Sequence, residues 1–302
     1  MLLDDVKQTI GIARASLERA KRSVGMDERL PHFYLESLGV SEEEKRGIVN
    51  LALQGNSKVD PAVAYLVSAT NGLMYKHLIG KMEAYPIPDL RLPDGSSQSF
   101  LDIGCNWGRW CIAAARKGYN AIGIDPSLGA IMAARRVSRS LGISVKYLVG
   151  DARYLPFPSA SFDNAFSYSV LQHLSREDVR IALSEIGRIL KPRGVSLIQM
   201  PTTLGLRCIY HQARRRFREA RDFEVRYWSL SALGQIFTSA IGRTEFSVDC
   251  YFGIGLQKAD SKFMPPKLKL VLAASEMLRR VSRAVPSLAY LADSVYVKAV
   301  KL

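Results

Sequence analysis

Apolar residues near the start of the chain recur at helical spacing. Leu3, Val6, Ile10, Ala13 and Leu17 fall three and four apart, and Lys7, Arg14, Glu18 and Lys21 occupy the other face. That pattern predicts an amphipathic helix. Ser41 with Glu44 three residues later reads as a capping box opening a second helix. Asp60-Pro61 reads as a cap followed by proline at the first helical position, with a third helix running toward Lys81. The next segment, AYPIPDLRLPDGSSQS, is rich in Pro, Gly and Ser and reads as a linker, with no strand evident before it.

After the linker the rhythm changes. SFLDIG is a short apolar strand, RWCIAAARKG a helix ending at Gly118, NAIGID a strand, and LGAIMAARRVSRSLG a helix ending at Gly142. VKYLVGD and FDNAFSYSV follow as strands, then a helix capped by Ser175 runs to Leu190, and VSLIQMP is a further strand after a turn at Pro192-Arg193-Gly194. TEFSVDCYF and SVYVKAVKL read as two last strands separated by mostly helical chain. Strands alternating with helices predict an α/β fold: a mostly parallel sheet covered by helices on both faces, with its ligand at the carboxyl ends of the strands. The expected organisation is an all-helical N-terminal cap and linker over residues 1–95, then a second domain over 96–302 with helical insertions at about 204–240 and 257–292.

Composition narrows the class. With 48% hydrophobic and 23% charged residues in a chain of 302, a substantial buried core is expected. Charges within MLLDDVKQTIGIARASLERAKR argue against a signal peptide, and no apolar run reaches the roughly 18 residues of a membrane span. Cysteines 105, 111, 208 and 250 have no metal-binding or disulfide spacing, so no metal is expected and a reducing cytoplasm fits. The net charge of +14 is uneven. Residues 201–302 hold 17 Lys and Arg against 8 Asp and Glu, whereas residues 1–95 hold 12 against 13. The last third therefore suits an anionic partner, a peripheral contact with anionic membrane, RNA, or only solvent.

FLDIGCNWGRW joins the first strand of the alternating region to its helix. The dinucleotide fingerprint GxGxxG does not fit it, because Asn106 stands at the close-approach glycine, and no GK[ST] follows to make a phosphate loop. The turn suits a ligand without phosphate that approaches Gly104 and the helix amides. Asp125, ending the second strand, is placed to accept from ribose hydroxyls, and Asp151, ending the third, from an adenine amine, with the Ala152 amide donating to a ring nitrogen. Acids in register at one sheet edge repel phosphates and tolerate a sulfonium.

DIGCNWG, GIDPS, GDARYLPFPSASFDNAFSYSVLQHL and EIGRILKPRG, in that order, resemble the class I S-adenosylmethionine-dependent methyltransferases, particularly the quinone, sterol and small-molecule group. The resemblance covers about residues 98–201 and implies a Rossmann-like seven-stranded sheet. It implies that Asp102, Gly104, Cys105, Asn106 and Gly108 line the methionine and ribose portion of S-adenosylmethionine, and that Asp125 with Pro126 holds the ribose. Asp151 with Ala152 would hold the adenine. The backbone from Ser167 to Ser169 would lie near the methionine amino group, and Leu171 to His173 beside the methyl.

Methyl transfer from a sulfonium needs no acid for its leaving group, so positioning and a dry pocket do most of the work. His173 is the candidate base for the acceptor, or else a residue that only shapes the pocket. Arg207, His211, Arg214, Arg218 and Arg221 recur at spacings of 4, 3, 4 and 3, as one stripe of a helix, so Tyr210, His211, Arg214 and Arg218 are candidate substrate contacts. In a second helix, Lys269, Arg279, Arg280 and Arg283 lie opposite Leu270, Ala274, Met277 and Val281. The expected activity is methyl transfer, most readily to oxygen, on a small-molecule, glycan or lipid-linked acceptor carrying negative charge. The alternatives are an RNA methyltransferase, a nicotinamide-dependent (NAD) oxidoreductase and a non-catalytic S-adenosylmethionine-binding protein.

Overall fold

A computed structural model describes residues 43, 58–60, 63–64, 66–67, 78 and 82–302, except 222 and 254. The helix expected from Leu3 and the cap at Ser41 lie outside the described residues. Of the third expected helix, Val63, Ala64, Leu66 and Val67 are helical and buried. Its first turn forms as expected, with the amides of Val63 and Ala64 donating to the Asp60 carbonyl.

Seven strands form one sheet: β1 (Ser99–Ile103), β2 (Asn120–Asp125), β3 (Lys146–Val149), β4 (Phe162–Ser167), β5 (Leu190–Pro201), β6 (Gly242–Cys250) and β7 (Ser294–Lys301). Their order is β3-β2-β1-β4-β5-β7-β6. β4 pairs parallel with β1 and β5, and β2 with β3, while β7 runs antiparallel to both its neighbours. The expected mostly parallel α/β sheet is present. The strand order reverses between β1 and β4, the kind of switch point at which open α/β sheets hold ligands. The α-helices from residue 99 onward are α1 (Arg109–Arg116), α2 (Leu128–Ser140), α3 (Arg176–Ile189), α4 (Leu206–Arg214), α5 (Leu230–Ala240) and α6 (Pro266–Val281).

By packing the chain divides into two units, one of residues 1–97 and 104–156, the other of 98–103 and 157–302. In the first, the Pro-rich segment read as a linker is an ordered strap. Leu90 and Leu92 are buried, Lys117 Nζ donates to the Leu92 carbonyl at 2.7 Å, and Tyr119 Oη to that of Pro93 at 2.9 Å. Gly95 has no alternative here, because a Cβ would run into the Tyr119 ring. Arg136 of α2 holds the Asp60 carboxylate at 2.6 and 3.1 Å.

The second unit is built on aromatic packing between strands. Phe100 stacks on Phe166 at 5.8 Å, and Tyr296 lies 6.3 Å from Phe166 and 6.0 Å from Tyr168. Val295, Val297 and Ala299 are fully buried, as the apolar run of β7 requires. Ser175 caps α3 by accepting from the Asp178 amide at 3.0 Å, and Ser229 caps α5 from Ala232 at 3.2 Å. The turn expected at Pro192-Arg193-Gly194 is a bulge inside a longer β5. Leu190 opposes Phe162 and Val195 opposes Asn164, so residues 191–194 loop out opposite Asp163, and Lys191 Nζ closes the loop on that carboxylate at 2.9 Å. In α6, Leu270, Met277 and Val281 are exposed while Leu272 and Ser275 are buried, so the apolar stripe read from the sequence faces solvent. No helix among the described residues is long and apolar enough to cross a membrane.

Candidate active site

The loop after β1 belongs to the first unit, and its backbone is strained into the left-handed region at three places: Gly104 (φ 75°), Asn106 (φ 51°) and Gly108 (φ 82°). Asn is among the residues that tolerate this best. Its side chain turns back on the loop, Oδ1 accepting from the Trp107 amide at 2.7 Å. Every amide of the loop is committed. Those of Gly104 and Cys105 donate to the Ile124 carbonyl at 2.8 and 3.0 Å, that of Asn106 to Asp125 Oδ2 at 2.9 Å, and that of Gly108 to the Cys105 carbonyl at 2.8 Å. Gly108 must be glycine twice over, since a Cβ there would also collide with Tyr147, whose hydroxyl is fixed 2.7 Å from Ser138 Oγ. Cys105, expected to touch the ligand, instead packs inward: it is buried, and its sulfur borders Gly123.

Asp125 is 3% exposed, and its second oxygen accepts from the Ser127 amide at 2.9 Å. These two amides fix the carboxylate at the end of β2. Pro126 follows it, half-buried. Asp151 is gripped by its neighbour: Oδ1 accepts from the amide and Nε of Arg153 at 2.9 and 3.0 Å, and Oδ2 from Nη2 at 2.8 Å. An adenine amine would have to share this carboxylate with Arg153. Ala152, between them, is half-buried.

The second unit carries the remaining residues. Asp102, 1% exposed, lies opposite Phe166 in the β1–β4 register. At the end of β4, Ser167 Oγ donates to the Ile103 carbonyl at 2.9 Å, and Ser169 takes φ 58° with its amide and hydroxyl on Gln199 Oε1 at 2.9 and 3.2 Å. The short 3-10 turn Leu171–His173 follows. The His173 ring stacks on Phe223 at 3.9 Å, Nδ1 donates to the Phe223 carbonyl at 2.7 Å, and Nε2 accepts from Gln172 at 3.1 Å. Burial pushes its pKa down to about 4, against the raising effect of the Phe223 bond, and Arg226 adds to the depression. It is a neutral ring with both nitrogens engaged, which suits pinning residues 223–226 and not proton abstraction.

The basic stripe expected on one helix is broken. α4 ends at Arg214, and Arg216 and Phe217 take φ 54° and 55°. Tyr210 is exposed on the helix with Arg214 over its ring at 5.8 Å, and His211 is half-buried. Arg218 leaves the helix and binds Glu224 through two contacts of 2.6 Å, so it is already neutralised within the protein. That bond holds the Glu224 carboxyl down at about 2.

Comparison with known proteins bears on these residues. Residues 100–194 match the family model described as a methyltransferase domain. Over 98 residues the chain is 32% identical to a ubiquinone biosynthesis O-methyltransferase of Azorhizobium caulinodans, covering 32% of this chain and 38% of that protein. It is 34% identical over 132 residues to an O-methyltransferase of Aspergillus sclerotiorum, covering 43% and 49%. It is 35% identical over 102 residues to a sterol 24-C-methyltransferase of Pneumocystis carinii, covering 32% and 26%. This domain belongs to the class I S-adenosylmethionine-dependent methyltransferases. The chain spans less than half the length of these curated relatives.

The methyltransferase loop fits its donor on physical grounds. A pyrophosphate needs free amides at the glycine turn, and residues 104–108 offer none among the bonds just described. A ribose needs a fixed carboxylate at the end of β2, and Asp125 is one. Gln199, Asp249 and Asp293 were not legible as site-builders, since their partners are distant in sequence. Asp249 accepts from Tyr168 Oη at 3.0 Å and Ser294 Oγ at 2.8 Å. Asp293 accepts from the amides of Arg207, Cys208 and Gly253, capping α4 from the bend just before β7, 85 residues beyond Cys208. Among the described residues there is no cluster of metal-ligating side chains.

Proposed function

We propose that the protein transfers a methyl group from S-adenosylmethionine to a small-molecule, glycan or lipid-linked acceptor, with oxygen as the receiving atom. The observation that carries the donor half is the Gly104–Gly108 loop with its amides committed and Asp125 fixed by two of its neighbours. The relatives named as O-methyltransferases support oxygen.

The donor supplies a sulfonium-bound methyl group whose transfer leaves the electron pair on sulfur. Within that reaction Asp125 orients the ribose end. In the first unit the committed loop lets the ligand lie close to backbone without competing for it. Within the second unit, the Ser167–Ser169 turn is held by Gln199 at the end of β4. His173 has both ring nitrogens engaged and is assigned no proton transfer, so a hydroxyl acceptor reacts through its own ionised form. The rate of methyl transfer then follows the acceptor's own ionisation, with no separate inflection from the His173 imidazole.

Incubating the purified protein with radiolabelled methyl donor and a small-molecule extract tests the proposal. Label in a compound of low mass that survives base hydrolysis as an ether supports O-methylation. Label confined to RNA, with affinity falling steeply in salt, replaces it with the RNA alternative.

A further inference from the structure

A cavity of about 710 Å³ lies in the second unit beside the end of α4, with Arg214, Arg215, Arg216 and Arg218 in its lining. Three features mark it as built for a ligand. The first is backbone strain. α4 closes with the Phe217 amide on the Gln212 carbonyl at 2.8 Å and the Arg216 amide on that of Ala213 at 2.8 Å, a closure that ordinarily places glycine in the left-handed position. Here arginine and phenylalanine hold it in succession, and residues so strained gather where function requires them. The turn gathers consecutive arginines around one space, where a continuous helix would fan them about 100° apart.

The second feature is Arg215. Its Nη1 donates to the Val225 carbonyl at 2.9 Å and its guanidinium lies over the Tyr227 ring at 5.2 Å, which fixes the plane. Its Nε is buried with no hydrogen-bond partner. Planar guanidinium forks match phosphate oxygens, and a plane held in advance lowers the cost of ordering one on binding.

The third is charge. Glu224 offsets Arg218, leaving three guanidiniums in excess. The C-terminus of α4 contributes only about half a negative charge against them. His211 also lines the cavity, and its Nε2 accepts from Arg207 Nε at 3.4 Å, so it adds a neutral polar wall. Residues 223–226 join this wall to the edge of the sheet, because the Arg226 amide donates to the Gln172 carbonyl at 2.8 Å and Phe223 holds His173.

We propose that this cavity binds a phosphate or diphosphate group, carried by the methyl acceptor, with Arg215 as its fixed fork and Arg214 and Arg216 as flanking charges. Its identity as the acceptor's group rests on the proposed function, whereas the anion site itself does not. Leu206, Ile209 and Phe217 are exposed beside the arginines, so the group belongs either to a soluble phosphate ester or to the headgroup of an anionic lipid.

The test is calorimetric titration of the full chain with pyrophosphate, without methyl donor, in parallel with donor binding. Pyrophosphate binding that Arg215→Ala weakens at least about tenfold, with donor affinity unchanged, is the expected result. Arg216→Gly guards against a merely misfolded variant: it relieves left-handed strain, so the melting temperature should hold or rise while pyrophosphate affinity falls about threefold or more. Glu224→Gln should strengthen binding by removing the internal counter-charge. Vesicles containing phosphatidylglycerol that compete with pyrophosphate identify a lipid source, and vesicles that do not compete identify a soluble ester. Absence of pyrophosphate binding, or Arg215→Ala and Arg216→Gly both binding like the parent protein, overturns the site whether or not donor binding survives.

Discussion

Asp125 and Asn106 divide the work at the donor loop. Asp125 accepts from two amides at 2.9 Å and presents its carboxylate at the end of β2, so Asp125→Asn should weaken S-adenosylmethionine binding by at least about tenfold, as loss of charge-assisted hydrogen bonds does. Calorimetry gives the answer directly, and an unchanged affinity would remove Asp125 from the donor site. Asn106 has φ 51° and points its side chain at the Trp107 amide. Asn106→Gly should therefore leave donor affinity within about threefold, because glycine keeps the backbone angle. A tenfold loss would mean the side chain reaches the ligand. The acid and the glycines were legible because their spacing follows a strand. The committed amides were not, since Ile124, which receives two of them, carries no polar side chain to betray it.

At the scale of elements, α4 depends on a remote cap. Gly205 supplies no side-chain bond at its start, and Asp293 takes the Arg207 and Cys208 amides at 2.8 and 3.1 Å. Asp293→Ala should cost roughly 1–3 kcal/mol, read as a lower denaturation midpoint, by stranding buried amides and uncapping the helix. The Leu171–His173 turn makes a second prediction. The unfolded imidazole protonates near 6.5 and the folded one only near 4, so between those values the unfolded chain binds more protons. Stability should fall as pH drops from 6.5 to 4, by at most about 3 kcal/mol, and His173→Gln should flatten that slope in urea unfolding. A slope unaltered by the substitution would place the imidazole in water. Strands and helices from residue 99 onward were legible because apolar period and caps change together. The arginine stripe was misread for a definite reason: a period of 3.6 assumes an unbroken helix, and left-handed backbone at Arg216 and Phe217 has no sequence signal when glycine is absent.

Across the molecule, the basic last third acquires a location. Six arginines stand against one glutamate between residues 204 and 221, and the cavity gathers four of them. Net charge alone left solvent, membrane, RNA and substrate open, because it says nothing about where side chains meet. The donor is decided by titrating the protein with S-adenosylmethionine and, separately, with NAD. One-to-one binding of S-adenosylmethionine, lost in Asp125→Asn, with no heat from NAD is the predicted result. Binding of NAD with no affinity for S-adenosylmethionine would contradict it.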